Sequence, residues 1–433
     1  MNARALIATG CGTAIACVCA IGLFQIERTV AGLWAVAAVL VAAAICAALA
    51  RVFGRLSSVV PSGAGLIAYL SRGLGRRAGL ALAVPYLLLT LFLVGVEAII
   101  VGTLLARVVP GLPPFAGSLA FLVGTWAFCR AGFKVGFRAQ AIATVALVAG
   151  LAALSVFSIV QAGARGELAQ RLLTSAPSPG AFVAAIGTGI FLFMGFELVT
   201  SQAEHATAKA ISRGLSGTVA VLAGFYALLS VGFSCLSQAP IGSDYRLVPQ
   251  LAIAEQTGSP IALIAMVGLC LLASFTSFNG ALLALSRFAY ALASQGALPR
   301  VFARLDPKTR VPHQTLALLL ALAIGFTAVV SVGGALEPAI LAAAVAAALL
   351  YAAAAWVREG KAFAEPGRSP VLGRALAVGL VAVGVGVIVD AGAARGGTLA
   401  LLAVAFGVAG LIAARTGRRR AAVPQGLTTG GLR

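Results

Sequence analysis

The sequence predicts an all-α polytopic membrane protein of about twelve transmembrane helices, each using roughly twenty apolar residues to cross the bilayer. Three observations carry that expectation. Hydrophobic residues make up 61% of the 433 and charged residues 10%, with a mean hydropathy of +1.05, against about 25% charged in a water-soluble domain. Apolar stretches of spanning length recur along the chain, and no connection between them is long or polar enough to form a separate domain. The basic residues fall in alternate connections. The net charge of +19 would otherwise suggest nucleic acid as a partner. With the N-terminus inside, however, all but six of the 31 Lys and Arg lie at the inner face, the six being Arg28, Arg107, Arg165, Arg171, Arg246 and Arg395. This positive-inside asymmetry predicts a multi-pass protein of the cytoplasmic (inner) membrane with both termini cytoplasmic, surrounded by lipid and without a nucleic-acid partner.

Helix 1 is expected from Ala5 to Phe24. It reads as an uncleaved span, since its apolar run is long for a signal peptide and many more spans follow. A turn, Gln25 to Arg28, holds Glu27 and Arg28. Helix 2 covers Val30 to Ala50. The basic stretch Arg51 to Arg77, marked by proline and glycine, reads as the end of helix 2, an inner loop and an interfacial piece. Helix 3, Leu80 to Val108, carries Glu97 near its middle. Helix 4, Phe115 to Phe128, is short, and a basic inner loop, Arg130 to Arg138, leads to helix 5, Ala139 to Val160. An outer connection, Gln161 to Pro179, precedes helix 6, Ala181 to Glu204.

Helix 7 is expected from Leu215 to Leu236, followed by an outer loop, Ser237 to Ser259. Helix 8 runs from Pro260 to Ala293, with an inner segment from Ser294 to Pro312. Helices 9 to 12 cover Gln314 to Val332, Leu336 to Val357, Val371 to Val389 and Thr398 to Ala414. This divides the chain into a ten-helix core (1–357), two further helices (358–414) and a basic cytoplasmic tail (415–433) expected to be disordered.

Within helix 6, GTGIFLFMGFELV from Gly187 to Val199 combines three glycines with Glu197, at a depth where an ordinary spanning helix avoids charge. The combination predicts a broken helix, whose unpaired backbone groups need protein, water or a ligand as partners. Close helix packing through small residues is the alternative. Glu97 is a second mid-membrane carboxyl. Inserting a carboxylate charged at that depth costs at least ~2.5 kcal/mol, so both glutamates are expected to be paired, protonated or facing water. Ser274, Thr276 and Ser277 are candidates either to hold sodium or to bond to their own helix. All seven cysteines lie in or at the ends of apolar segments and read as buried thiols. Neither histidine has a metal-ligand partner at useful spacing, and no nucleophile–base pair or phosphate loop is visible. Neither a metal, nor a cofactor, nor an enzyme activity is expected. One internal echo, AIGLF at Ala20 to Phe24 against AIGTGIF at Ala185 to Phe191, suggests interrupted helices in corresponding places of two halves.

The segment Leu271 to Pro312, with Asn279-Gly280, Ser286-Arg287, Tyr290, Gln295-Gly296, Leu298-Pro299 and Val311-Pro312, resembles helix 8 and the following loop of the amino acid, polyamine and organocation (APC) permeases. FMGFE, Phe193 to Glu197, together with Ala203-Glu204, is similar to that family's helix 6, and Pro61 to Gly75 to its loop after helix 2. The resemblance covers about Leu6 to Trp356. It implies a five-plus-five inverted repeat with a substrate held between broken helices 1 and 6. Where the family has Gly-x-Gly-Ile-Phe, this chain reads Ala20-Ile21-Gly22-Leu23-Phe24, which leaves a Cβ where a substrate carboxylate would approach.

The resemblance implies that Ala20, Ile21 and Gly22 offer backbone N–H groups to a carboxylate. Phe191, Phe193, Met194, Gly195 and Phe196 would form the broken part of helix 6, with carbonyls for an amino group and an aromatic gate. Glu197 would sense protons, with Glu97 sharing that role or holding the amine of a cationic substrate. The expected function is a permease for an amino acid or related amine, coupled to protons or working by exchange. The rival is a non-transporting sensor or assembly factor on the same scaffold.

Overall fold

A computed structural model describes residues 2–130, 133–203, 206–235, 248–256, 260–309, 311–333, 335–363 and 370–421, apart from the side chains of 133–135, 137, 252, 253, 256, 390 and 416–421. Among these residues every regular element is helical. The first half contains α1 (Ala3–Ala14), α2 (Val18–Val30), α3 (Gly32–Val59), α4 (Gly65–Leu74), α5 (Arg76–Val108), α6 (Pro114–Arg130), α7 (Phe133–Ala164) and the short α8 (Leu168–Leu172). The second half contains α9 (Pro179–Leu192), a 3-10 segment (Phe196–Gln202), α10 (Ala208–Cys235), α11 (Pro249–Gln256), α12 (Pro260–Ser294), α13 (His313–Val332), α14 (Leu336–Arg358), α15 (Val371–Asp390) and α16 (Arg395–Ala421).

Ten of these helices are long and apolar enough to cross a membrane, and α1 with α2, bent by 68° at a short break, passes the same test as a pair and makes an eleventh if counted as one span. The remaining expected span is α6. At 17 residues it reaches only ~25 Å at 1.5 Å per residue, as its sequence foretold. The long helices run a few residues past their expected ends. α3 carries Arg51 and Arg55 in its last turns, because basic side chains on a helix end extend their heads toward polar surroundings. The break, inner loop and interfacial piece expected between Arg51 and Arg77 appear as the end of α3 and the separate helix α4. Glu204, His205, most of the expected outer loop (236–247 and 257–259), Arg246, Arg310 and the tail beyond residue 421 lie outside the described residues.

Two local expectations are corrected. Glu27 and Arg28 lie inside α2 and not in a turn. Glu27 Oε1 accepts hydrogen bonds from Ser230 and Ser234 of α10 at 3.1 and 2.8 Å, and Oε2 accepts the Gly32 N–H at 3.2 Å. With those donors in place, the helix has no need to end before the charge. The second correction concerns helix 1. Its interruption falls at Ile15 to Cys17, and Ala20, Ile21 and Gly22 are all within α2.

The centre is built by close approach. α1 packs on α7, α10 and α12, while α5 packs on α6, α12, α13, α14 and α16. A Cβ on Gly12 would stand 2.1 Å from Thr144 Oγ1, and one on Gly280 would stand 2.1 Å from Thr13 Oγ1, so glycine is what lets α1 lie against α7 and α12. All seven cysteines are buried free thiols, as expected. After α12, the Asp306 carboxylate accepts the Thr309 N–H at 2.7 Å, the Thr309 hydroxyl at 2.9 Å and the Lys308 N–H at 3.0 Å. The Thr309 bonds, backbone first, hold this carboxyl below its ordinary range. They also form the turn from Asp306 to Thr309.

Candidate functional site

The two interruptions face each other at the middle of the bundle. α9 starts cleanly, with the Ser178 hydroxyl accepting the Ala181 N–H and Pro179 opening the helix. It ends at Leu192, and Gly195 then adopts φ +106°, a left-handed conformation open to glycine and strained for a branched residue. A Cβ at Gly195 would touch the Thr13 carbonyl oxygen at 3.4 Å, so the turn that breaks this span rests on the last turn of α1.

The break in the first span is made differently. Ile15 is extended (φ −83°, ψ 93°), and the start of α2 has no capping side chain of its own. The cap comes from α5. Glu97 Oε1 accepts the Cys17 N–H at 2.5 Å and the Ser274 hydroxyl at 2.6 Å, and Oε2 accepts the Val18 N–H at 3.1 Å. A carboxylate on a helix N-terminus is favourably placed in the helix dipole, and Glu97 is only 4% exposed.

Between the two breaks lies a cavity of about 60 Å³, lined among others by Thr13, Ala16, Val18, Tyr86, Thr90, Glu97, Phe191, Met194, Gly195 and Ser277. This is space for a few water molecules. Of the residues expected at a ligand, the structure brings four together here: Glu97, Phe191, Met194 and Gly195. The others are placed elsewhere. Ala20 lines a neighbouring apolar cavity of about 70 Å³. Ile21 and Gly22 line a further space of about 60 Å³ between α2, α9 and α14, which shares Val18 and Phe191 with the central one.

Phe193 and Phe196 flank the break of the second interrupted span, but their rings do not line the cavity. Both are fully buried away from the cavity, because the tight turn at Gly195 swings successive side chains to different sides. The Phe193 ring meets Tyr226 edge-on at 5.5 Å, and Phe196 lies 6.0 Å from both Phe53 and Tyr351.

Glu197, with no exposed surface, sits behind this layer in a socket of donors. The Tyr86 hydroxyl donates to its Oε1. Its Oε2 accepts the Tyr351 hydroxyl at 2.6 Å and the Gly195 N–H at 3.1 Å. Tyr86 also lines the central cavity, so one phenol bridges the cavity and the second buried carboxyl. The helix 8 hydroxyls divide: Ser274 holds Glu97, the Thr276 hydroxyl donates to the Ala273 carbonyl at 3.0 Å, and Ser277 lines the cavity.

Sequence reasoning missed Tyr86, Tyr351, Thr13 and the Cys17–Val18 amides. Two signals were present. Tyr86 and Glu97 are eleven residues apart on one helix, close to three full turns, and so share a face. The tetrapeptide Gly12-Thr13-Ala14-Ile15 at the first break also matches Gly187-Thr188-Gly189-Ile190 before the second, a better pairing than the echo at Ala20.

The all-helical fold is similar to that of a solved transporter. A Na+-coupled sialic acid symporter in a substrate-bound, outward-open state superposes with a TM-score of 0.55 and 13% identity over 89% of each chain. A family model described as amino acid permease matches residues 6–359, and the chain belongs to that family. An uncharacterised amino acid permease, YecA of Bacillus subtilis (strain 168), is 26% identical over 133 residues, covering 30% of this chain and 31% of that protein's length.

Proposed function

We propose that the protein is a secondary transporter moving an amino acid or related amine across the cytoplasmic membrane by alternating access, coupled to protons or working by exchange. The observation that carries this reading is the convergence of two interrupted spans on one buried cavity containing a carboxylate. Irregular backbone at membrane depth persists where it is buried in protein or lines a cavity, and such breaks make ion and substrate sites in transporters. Family membership agrees with it.

The substrate site is the central cavity, with Glu97, Phe191, Met194 and Gly195 at its wall. Phe191 and Val18 stand between this cavity and the neighbouring space beside α14, which suits Phe191 to the part of a gate. Glu197, joined to the cavity through Tyr86, is the proton-linked group. In the five-plus-five arrangement, α1 with α2 and α9 with its 3-10 segment open the two halves. The packing of α3 on α10, the second span of each half, supports it. Residues 1–357 then form the transporting core, 358–414 two added helices and 415–433 the tail.

Both termini lie in the cytoplasm on this reading. Reporter fusions after Gln170 and after Arg304 are expected to report opposite sides, outside and inside respectively. A common side for both would defeat the topology. Substrate counterflow into vesicles containing the purified protein tests transport itself.

A further inference from the structure

The first span's break has a feature that bears on substrate class, and the inference rests on the transporter reading. A free carboxylate entering the cavity would look for the exposed N–H groups at the start of α2, the positive end of that half-helix. None is left. Cys17 and Val18 donate to Glu97, Cys19 donates to the Ala16 carbonyl at 3.0 Å and Ala20 to the Cys17 carbonyl at 3.1 Å. Four consecutive amides are satisfied from within the chain, two of them by a carboxylate that the protein carries itself.

The rest of the wall favours the opposite charge. Glu97 is the one acidic side chain among the described residues lining this cavity, and no Lys or Arg joins it there. The other polar side chains there are hydroxyls, on Thr13, Tyr86, Thr90 and Ser277. The C-terminal ends of α1 and α9, where carbonyl groups gather and the dipole is negative, also reach the cavity through Thr13, Ala14, Phe191 and Met194. Glu97 Oε1 has two donors and Oε2 has one. A carboxylate offers about four lone-pair sites, so one remains for an ammonium.

We propose that the cavity takes an organic amine without a carboxylate, with Glu97 standing permanently where the carboxylate of an amino acid would bind. The α5 carboxylate caps α2 and serves as counter-ion to the ligand ammonium. A zwitterionic amino acid brings a second carboxylate beside Glu97 and finds hydroxyls but no Lys or Arg for it among the described residues lining the cavity.

Matched pairs test this on the purified full-length protein: lysine with cadaverine, arginine with agmatine, leucine with isoamylamine, and phenylalanine with phenethylamine. Binding is read by thermal stabilisation in detergent, and transport by counterflow in vesicles. In at least one pair the amine is expected to bind about tenfold or more tightly than its amino acid, a difference of about 1.4 kcal/mol. Glu97→Gln, which keeps the shape, is expected to lose that amine binding. Glu97→Ala, which frees the Cys17 and Val18 amides, is expected to move the preference toward the amino acid of the same pair. Equal or tighter binding of the amino acids by the native chain, or unchanged amine binding in Glu97→Gln, overturns the proposal. Amino-acid counterflow in the native chain would overturn it while sustaining transport, whereas amine binding without counterflow would sustain it and defeat transport. Binding of neither member of any pair overturns both.

Discussion

Valine at position 195 is expected to bring transport down to the background of empty vesicles while the protein still reaches the membrane. Gly195 holds φ +106°, and forcing a branched residue into such a conformation costs about 1–3 kcal/mol. The strain falls where function is concentrated. Its relief would rotate the peptide whose N–H meets Glu197 and lift the turn from the Thr13 carbonyl oxygen, 3.4 Å from the nearest added atom. Alanine at the same place keeps the strain with less bulk, so a graded loss from alanine to valine is expected in an initial-rate uptake assay. Gly22→Val is expected to do less. Its added Cβ would press on Leu192 Cδ2 at 2.9 Å, the movable end of a side chain, and make ordinary contact with Thr188 Cγ2 at 3.8 Å, and Gly22 lies inside α2 beyond the break. Full uptake in Gly195→Val would return the turn to a packing role.

The second large effect is expected at Glu197, where two substitutions separate structure from coupling. Glu197→Leu removes the acceptor of two buried phenols and one buried amide, and each unsatisfied group costs about 1–3 kcal/mol. Little folded protein should survive extraction into detergent. Glu197→Gln keeps one acceptor oxygen and the shape but removes the ionisable proton. It is expected to stay folded, to sustain exchange at one fixed pH and to show a flattened pH dependence of net uptake. Sodium removal should have little effect on either form. An unchanged pH profile in Glu197→Gln would exclude this carboxyl as the proton-linked group. A strong sodium requirement would turn attention to the hydroxyls of α12 near the break, Ser274 and Ser277.

The spans were legible because membrane insertion depends on composition over about twenty residues, a local property that a sequence displays directly. The second break was legible for a similar reason: a glycine beside an acidic residue in an apolar run has few other uses. The first break showed only as the short echo of Gly12 to Ile15 in Gly187 to Ile190. It falls at Ile15 to Cys17, where the chain has no glycine, and its stabilising cap is Glu97, eighty residues away. No window of local sequence contains that pairing, and Gly22 drew attention to the wrong turn. Glu97 itself was singled out by depth alone, but its amide partners became visible only in three dimensions. Tyr351, which meets Glu197 from 154 residues further on, was hidden in the same way. Phe193 and Phe196 show the converse: a motif placed them at the break, yet the left-handed turn directs their rings into the core.

The most direct measurement of the central claim is counterflow. Vesicles containing the purified protein are loaded with an excess of unlabelled amine or amino acid, then diluted into a trace of the same compound carrying a label. Transient accumulation of label inside, absent in empty vesicles and lost in Gly195→Val, is the predicted result. Saturable binding of the compound to the purified protein with no counterflow in the vesicles would contradict transport and leave a sensor built on a permease scaffold.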